Sequence, residues 1–378
     1  MIAISIIVGI CIFLYVFLIV YFLFGWLKLE EYTVGKKNGT TKVSVIIPVR
    51  NEEKNIKNLL DDLREQQYNP ELFEIIVVDD FSTDKTAEIV RNAKIKNLKI
   101  ISLSAIFLSK QDLKANKKAG IQIAIEQANG ELIVTTDADC HVGSNWLQTI
   151  VHYYEEHNPV MIAGMVSYYP DSSFLGKFQT LDFLSLVGIA AACIQNGFYN
   201  LCNGANLAYT KEAFLAVDGF KNIDHIPGGD DMMLMHKMAK KYKGKIAYLK
   251  NKEAIVYTNT EKEFLAFWNQ RVRWTSKSTH YEDKRITAIL AFVYLSNLLI
   301  VANLIIGFFY APFLKLAMFQ FLSKLCIDTL FAYSVTKFFR RENLLWLFLP
   351  MQILHILYII FVAPAGVFGK YYWKGRRI

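Results

Sequence analysis

No charged side chain occurs before Lys28. No two of the five cysteines (Cys11, Cys140, Cys193, Cys202 and Cys326) form a C-x-x-C pair. That spacing suggests neither a zinc site nor a disulfide framework, and a reducing compartment is the simplest reading. The sequence contains neither G-x-x-x-x-G-K nor G-x-G-x-x-G, so the usual glycine cradles for nucleotide phosphates are missing. The net charge is +8, yet no stripe of interleaved basic and aromatic residues runs through the polar part of the chain. Nucleic acid is therefore not expected as a partner.

The charge-free start is long enough to cross a bilayer of about 30 Å at about 1.5 Å per residue. It lacks the basic start and the small-residue cleavage site of a signal peptide. Residues 1–27 are read as a retained transmembrane anchor. The last third is apolar again: 286–314 has no charge, 316–336 carries only Lys324 and Asp328, and 343–369 has only His355 as a titratable group. Residues 285–369 are read as two or three membrane spans, followed by a basic tail at 370–378 with Lys370, Lys374, Arg376 and Arg377. Lys337, Arg340 and Arg341 flank one of these segments. Basic flanks of this kind suit the cytosolic side of a membrane. If the first segment and all three tail segments cross, both chain ends share a side, and a cytosolic middle then puts the basic tail outside. The segment with Lys324 and Asp328 is accordingly read either as a span or as lying in the interface. The expected location is the cell membrane, multi-pass, with residues 28–284 forming a cytosolic domain.

Within that domain, short β-branched runs alternate with helical periodicity. Strands are predicted at 43–49, 73–80, 98–103 and 131–139, and helices at 52–66, 82–93, 117–128 and from 144 toward 157. Such alternation predicts an α/β fold with a mostly parallel sheet covered by helices. The polar clusters "PVRNEE", "DDFSTD" and "DADC" follow the first, second and fourth strands. All three thus sit at the carboxyl ends of strands, where open α/β sheets bind ligands. Pleating predicts that Asp137 and Asp139 share one side of the fourth strand. Two carboxylates so placed repel unless a cation sits between or beside them. Hard divalent ions such as Mg²⁺ or Mn²⁺ take oxygen ligands and bridge carboxylates to substrate phosphates. Farther on, "GGDD" places Asp230 and Asp231 before an apolar helical run, where acids also serve as caps. "QRVRW" puts Gln270, Arg273 and Trp274 on adjacent turns of a helix. Arginine pairs bidentately with phosphate, and tryptophan offers a flat apolar face, although an interfacial helix also favours these residues.

Taken in order, "VIIPVRNE", "VVDDFSTD", "DAD", "GGDD" and "QRVRW" resemble the membrane-bound family-two glycosyltransferases with the A-type fold. The resemblance covers roughly residues 40–280, and it implies a Rossmann-like nucleotide-diphospho-sugar transferase flanked by transmembrane helices. Pro48, Arg50 and Glu52 would line the nucleotide pocket, Asp79 or Asp80 would read uracil, and Lys117 would lie near the donor. Asp137 and Asp139 would face the ribose and a Mg²⁺ or Mn²⁺ ion on the diphosphate. Gly204, Ala205 and Asn206 would meet the acceptor. Asp231 would be the catalytic base, with Asp230 beside it. Gln270, Arg273 and Trp274 would close over diphosphate and acceptor. One departure is G-D-D where many members have T-E-D. In layout the chain most resembles ceramide glucosyltransferase-like and other glycolipid glycosyltransferases. The expected activity is therefore inverting, metal-dependent transfer of a hexosyl group from a UDP-sugar to a membrane lipid. Two alternatives are a processive synthase of the hyaluronan or poly-N-acetylglucosamine type, and a catalytically dead membrane scaffold or transporter.

Overall fold

The computed structural model describes residues 2–35, 39–107, 116–226, 228–369, 372–373 and 376–377. Lys370 and Lys374 of the expected basic tail lie outside the described residues. Chain contacts divide the molecule into two compact units. One comprises Leu29–Tyr169 and Cys193–Asn259. The other comprises Met1–Lys28, Pro170–Ala192 and Thr260–Ile378.

The first unit is α/β. Its strands are β1 (Val43–Val49), β2 (Phe73–Asp79), β3 (Leu98–Ser102), β4 (Leu132–Thr135), β5 (His141–Val142), β6 (Met161–Gly164), β7 (Val166–Tyr168), β8 (Leu207–Thr210), β9 (Ile246–Leu249) and β10 (Val256–Thr258). Seven of them form one sheet in the order β3-β2-β1-β4-β8-β6-β9. Strands β1 to β4 and the β6–β9 pair run parallel, and β8 alone is antiparallel to both neighbours. The runs VSVIIPV and FEIIVVD are buried almost throughout, as expected of parallel strands covered on both faces. The helix Ile56–Arg64 supplies Ile56, Leu59, Leu60 and Leu63 to that core, at the spacing of one helical face. Strands β5, β10 and β7 form a second, three-stranded sheet in that order.

The predicted strand at 131–139 is shorter in the structure. β4 stops at Thr135, and the N–H of Cys140 donates to the carbonyl of Asp137 (3.1 Å), closing a turn. Asp137 and Asp139 lie on that turn, beyond the pleat, so alternation does not set their directions.

The second unit is helical. Among the described residues, five helices are long and apolar enough to cross a membrane: Ile2–Lys28, Phe174–Gln195, Lys284–Gly307, Ala311–Phe338 and Glu342–Phe368. Phe174–Gln195 is a continuous helix, 72% buried over its most apolar window. Phe178 and Leu181 pack in a core with Phe267, Ala332, Leu344, Leu347, Phe348 and Met351. A side chain at Gly188 would collide with Val335 and Phe331, so glycine is what permits that close helix approach. Ala311–Phe338 is also one unbroken helix. Its Lys324 donates to Asp328 Oδ2 (2.6 Å), which also accepts from Gln352 (2.7 Å), and Tyr15 OH donates to Asp328 Oδ1 (3.0 Å). The charges thus face partner helices, as buried ionisable groups in apolar bundles do.

Candidate active site

Local backbone geometry carries the first polar cluster. Pro48 is in β1, and Asp79 is the last residue of β2. Asp79 and Asp80 are buried. Asp79 Oδ1 accepts from Ser82 N (3.1 Å), and Arg50 Nη1 donates to the Asp80 carbonyl (3.1 Å) while lying 3.8 Å from its carboxylate. Glu52 N donates to Thr86 Oγ1 (2.8 Å), and Glu52 Oε2 accepts from Asn55 (2.7 Å). Asn51 and Phe81 hold positive φ angles of 52° and 53°, a conformation L-residues adopt rarely and mostly where surrounding bonds impose it. The loop after β1 and the loop after β2 are therefore laced into one rigid edge.

The second cluster joins three segments. Lys117 begins the helix Asn116–Gln127 region and reaches Asp137 Oδ1 (3.0 Å) and Asp230 Oδ2 (3.2 Å). Burial pulls this ammonium toward neutrality, but Asp137 and Asp230 outweigh it and hold its pKa above the ordinary lysine value. Gly228 and Gly229 both adopt positive φ, 70° and 68°, which only glycine takes without strain. They turn the chain so that Asp230 and Asp231 follow directly. Asp231 is the N-cap of the helix Met232–Lys241: its Oδ1 accepts from Met232 N (2.7 Å). Its Oδ2 accepts from Gly204 N (3.1 Å). Gly204 in turn holds its carbonyl against Thr135 Oγ1 at the end of β4 (2.7 Å). One chain of contacts thus runs from the strand tip through Gly204 to Asp231.

Asn206 has a different place from the one the sequence suggests. It is 2% exposed. Its amide donates to the carbonyls of Met165 (2.7 Å) and Ala254 (2.8 Å) and accepts from Trp146 Nε1 (3.1 Å). That side chain is committed to the fold, and Gly204 and Ala205 beside it are buried as well.

Asp139 is exposed, and its carbonyl accepts from Thr258 Oγ1 (3.4 Å). Among the described residues, no group of three His, Cys, Asp or Glu side chains converges as a closed metal site. Asp137 and Asp139 supply hard oxygen donors from one turn. That donor set fits an open Mg²⁺ or Mn²⁺ site whose shell is completed by substrate phosphate and water. The cation that does stand beside Asp137 is Lys117, which sequence spacing did not reveal.

Gln270, Arg273 and Trp274 belong to the other unit, on the helix Phe264–Thr275. Gln270 Nε2 donates to Glu261 Oε1 (3.1 Å), while its amide oxygen is buried without a hydrogen-bond partner among the described residues. Arg273 is part-exposed. The buried arginine of the motif is its neighbour Arg271, 1% exposed and 3.0 Å from Asp182.

The chain matches the family described as Glycosyl transferase family 2 over residues 44–213. It matches Glycosyl transferase family group 2 over residues 132–363. The poly(ribitol-phosphate) beta-N-acetylglucosaminyltransferase TarS of Staphylococcus aureus is 34% identical over 118 residues, 31% of this chain and 19% of TarS. The poly-beta-1,6-N-acetyl-D-glucosamine synthase of the same species is 26% identical over 240 residues, 61% of this chain and 53% of the synthase. The chain thus spans about a fifth and about half of these two relatives. Among solved structures, the mannosyltransferase PcManGT from Pyrobaculum calidifontis, in complex with GDP-Man and Mn²⁺, superposes with a TM-score of 0.61 at 20% identity, covering 96% of this chain and 98% of that one. The likeness establishes the A-type fold.

Proposed function

The chain belongs to the family-2 glycosyltransferases, and we propose that it transfers a single sugar from a UDP-sugar to the hydroxyl of a membrane lipid, with inversion at the anomeric carbon. The observation that carries this reading is the cluster of Asp137, Lys117, Asp230 and Asp231, which gathers the D-x-D turn and the G-G-D-D turn around one ammonium. Asp231 is the proposed base. Its two backbone N–H partners fix the carboxylate plane, so an acceptor hydroxyl would lose its proton to an oriented oxygen as it attacks. A single displacement of the nucleoside diphosphate by the acceptor oxygen, whose proton passes to Asp231, would turn an α-linked donor into a β-glycoside. The rigid edge of Pro48, Arg50, Glu52, Asp79 and Asp80 is assigned to the nucleotide. Asp137 and Asp139 would hold Mg²⁺ or Mn²⁺, which supplies Lewis-acid neutralisation of the departing diphosphate. Arg273 is assigned to the same charge, and Gln270 and Trp274 to donor and acceptor.

The lipid acceptor and the membrane location rest on the second unit. The helix Ile2–Lys28 leaves Ile2, Phe13, Phe17 and Phe24 well exposed, a surface suited to lipid and costly in water. In this reading the α/β unit faces the cytosol. A second reading, processive synthesis, draws support from the poly-N-acetylglucosamine synthase match. The deciding experiment incubates the full chain in nanodiscs containing diacylglycerol with tritiated UDP-glucose, UDP-galactose and UDP-N-acetylglucosamine. Thin-layer analysis of the organic extract should show one discrete glycolipid that is lost in Asp231→Asn. A water-soluble, high-mass polymer would favour the synthase instead, and no labelled product of either kind would remove both readings for these donors.

A further inference from the structure

Asp182 lies on the helix Phe174–Gln195 and Arg271 on the helix Phe264–Thr275. Neither is used by the chemistry above. Asp182 Oδ2 is 3.0 Å from Arg271 Nη1, and the two side chains are 7% and 1% exposed. The guanidinium stands 4.3 Å from the centre of the Trp274 ring and 5.1 Å from that of Phe267. Phe183, the residue after Asp182, packs its ring 5.9 Å from Trp274 at 40°. The other carboxylate oxygen of Asp182 is 3.4 Å from His355 Nε2, on the last long helix.

Replacing a buried ion pair by apolar residues of similar volume is often neutral or stabilising. Joining two helices therefore does not require this pair, whereas fixing the direction of a planar group does. Arginine suits that task, since its planar cation lies against an aromatic ring while a neighbouring carboxylate draws its charge to one side. Residues 182 and 183 thus contact the indole both through the cation and directly.

We infer that Asp182 is a positioning residue that sets the orientation of the Trp274 ring through Arg271, with His355 holding the carboxylate from the last helix. Its effect on the reaction rests on the proposed function, in which Trp274 meets the acceptor. The pair then acts mainly on acceptor use.

The test uses the full chain labelled with 5-fluorotryptophan in diacylglycerol-containing nanodiscs. The six tryptophans give separate fluorine resonances, and Trp274→Phe identifies the relevant one. The informative variants are Arg271→Lys, which keeps the charge but loses the plane, and the double change Asp182→Leu with Arg271→Met, which replaces the pair by apolar volume. Both should move the Trp274 resonance while that of Trp146 stays in place. The double variant should melt no lower than the native chain. Acceptor KM should rise roughly tenfold to a hundredfold, with donor KM changing less. A Trp274 resonance unmoved in both variants overturns the inference, as does a moved resonance with both KM values at the native level. If the native chain transfers no sugar, the proposed function fails, and the fluorine spectra alone decide whether the pair sets the ring. Should the double variant lose all six sharp signals, Arg271→Lys gives that decision.

Discussion

The ammonium of Lys117 lies 3.2 Å from Asp230 Oδ2, tying the start of one helix to the turn that carries the proposed base. The same nitrogen is 3.0 Å from Asp137 Oδ1. Two acidic turns therefore share one counter-charge. Lys117→Met leaves the carboxylates facing each other. A hydrogen bond to a charged group contributes about 1.5–3 kcal/mol, so UDP affinity should fall roughly tenfold to a hundredfold, with Lys117→Arg in between. Isothermal titration with UDP reads this directly, and an unchanged Kd in Lys117→Met would refute the shared-charge account.

Asp231→Asn should fold. Asparagine caps helices about as well as aspartate, and Met232 N can still donate to it. It cannot accept the acceptor's proton, so transfer should drop by about 10²–10⁴-fold with UDP binding retained. A near-normal rate with an unchanged product eliminates Asp231 as the base.

Metal stripping should abolish transfer and weaken UDP binding together, and Mn²⁺ or Mg²⁺ should restore both. Two carboxylates and one lysine do not by themselves hold a diphosphate against its own charge. Full activity in excess EDTA after stripping contradicts the assignment of Asp137 and Asp139.

Asn206→Leu should lower the melting temperature sharply. It leaves the carbonyls of Met165 and Ala254 and the indole N–H of Trp146 without their bonds. Each orphaned buried group costs about 1–3 kcal/mol. A melt within error of the native chain would show that Asn206 is no structural hub.

Asp171 supplies a pH signature. Bonds from Thr260 (2.6 Å) and Ser173 (2.8 Å), with Lys262 at 3.0 Å, hold its carboxyl well below the usual aspartate range. A depressed folded pKa contributes stability above the unfolded value of about 3.9, lost as pH falls through the folded one. Asp171→Asn should therefore melt lower than the native chain at neutral pH, and the gap should narrow below about pH 4. A gap constant from pH 7 to the acid end would rule out this linkage.

The first three strands were legible because buried parallel strands write themselves as β-branched runs. β1 matches its predicted range, and β2 and β3 differ from theirs only at the ends. The polar loops at their carboxyl ends were legible for the same reason, since "PVRNEE" and "DDFSTD" interrupt the apolar runs. What the sequence concealed is set by tertiary contact. β8, the antiparallel strand, is only LAYT, too short for periodicity to speak. Asn206 looks like any turn asparagine until Trp146 is placed above it. The D-x-D acids sit on a turn rather than a strand because Cys140 N finds the Asp137 carbonyl. Asp182 and Arg271 stand far apart in sequence, and no spacing rule joins them. The local hint was an aspartate inside a largely apolar helical run.

The contact between Tyr15 and Asp328 has a consequence for how the molecule is made. These partners are separated by 313 residues. At about 5–20 residues per second, roughly 15–60 s pass between their syntheses. The first helix is therefore made long before this partner exists. Lys324 and Asp328 do not wait at all. Spaced four residues apart, they meet as soon as their helix forms, so the segment carries its charges already matched. Tyr15 and Gln352 then find Asp328 from either side, one synthesised before it and one after.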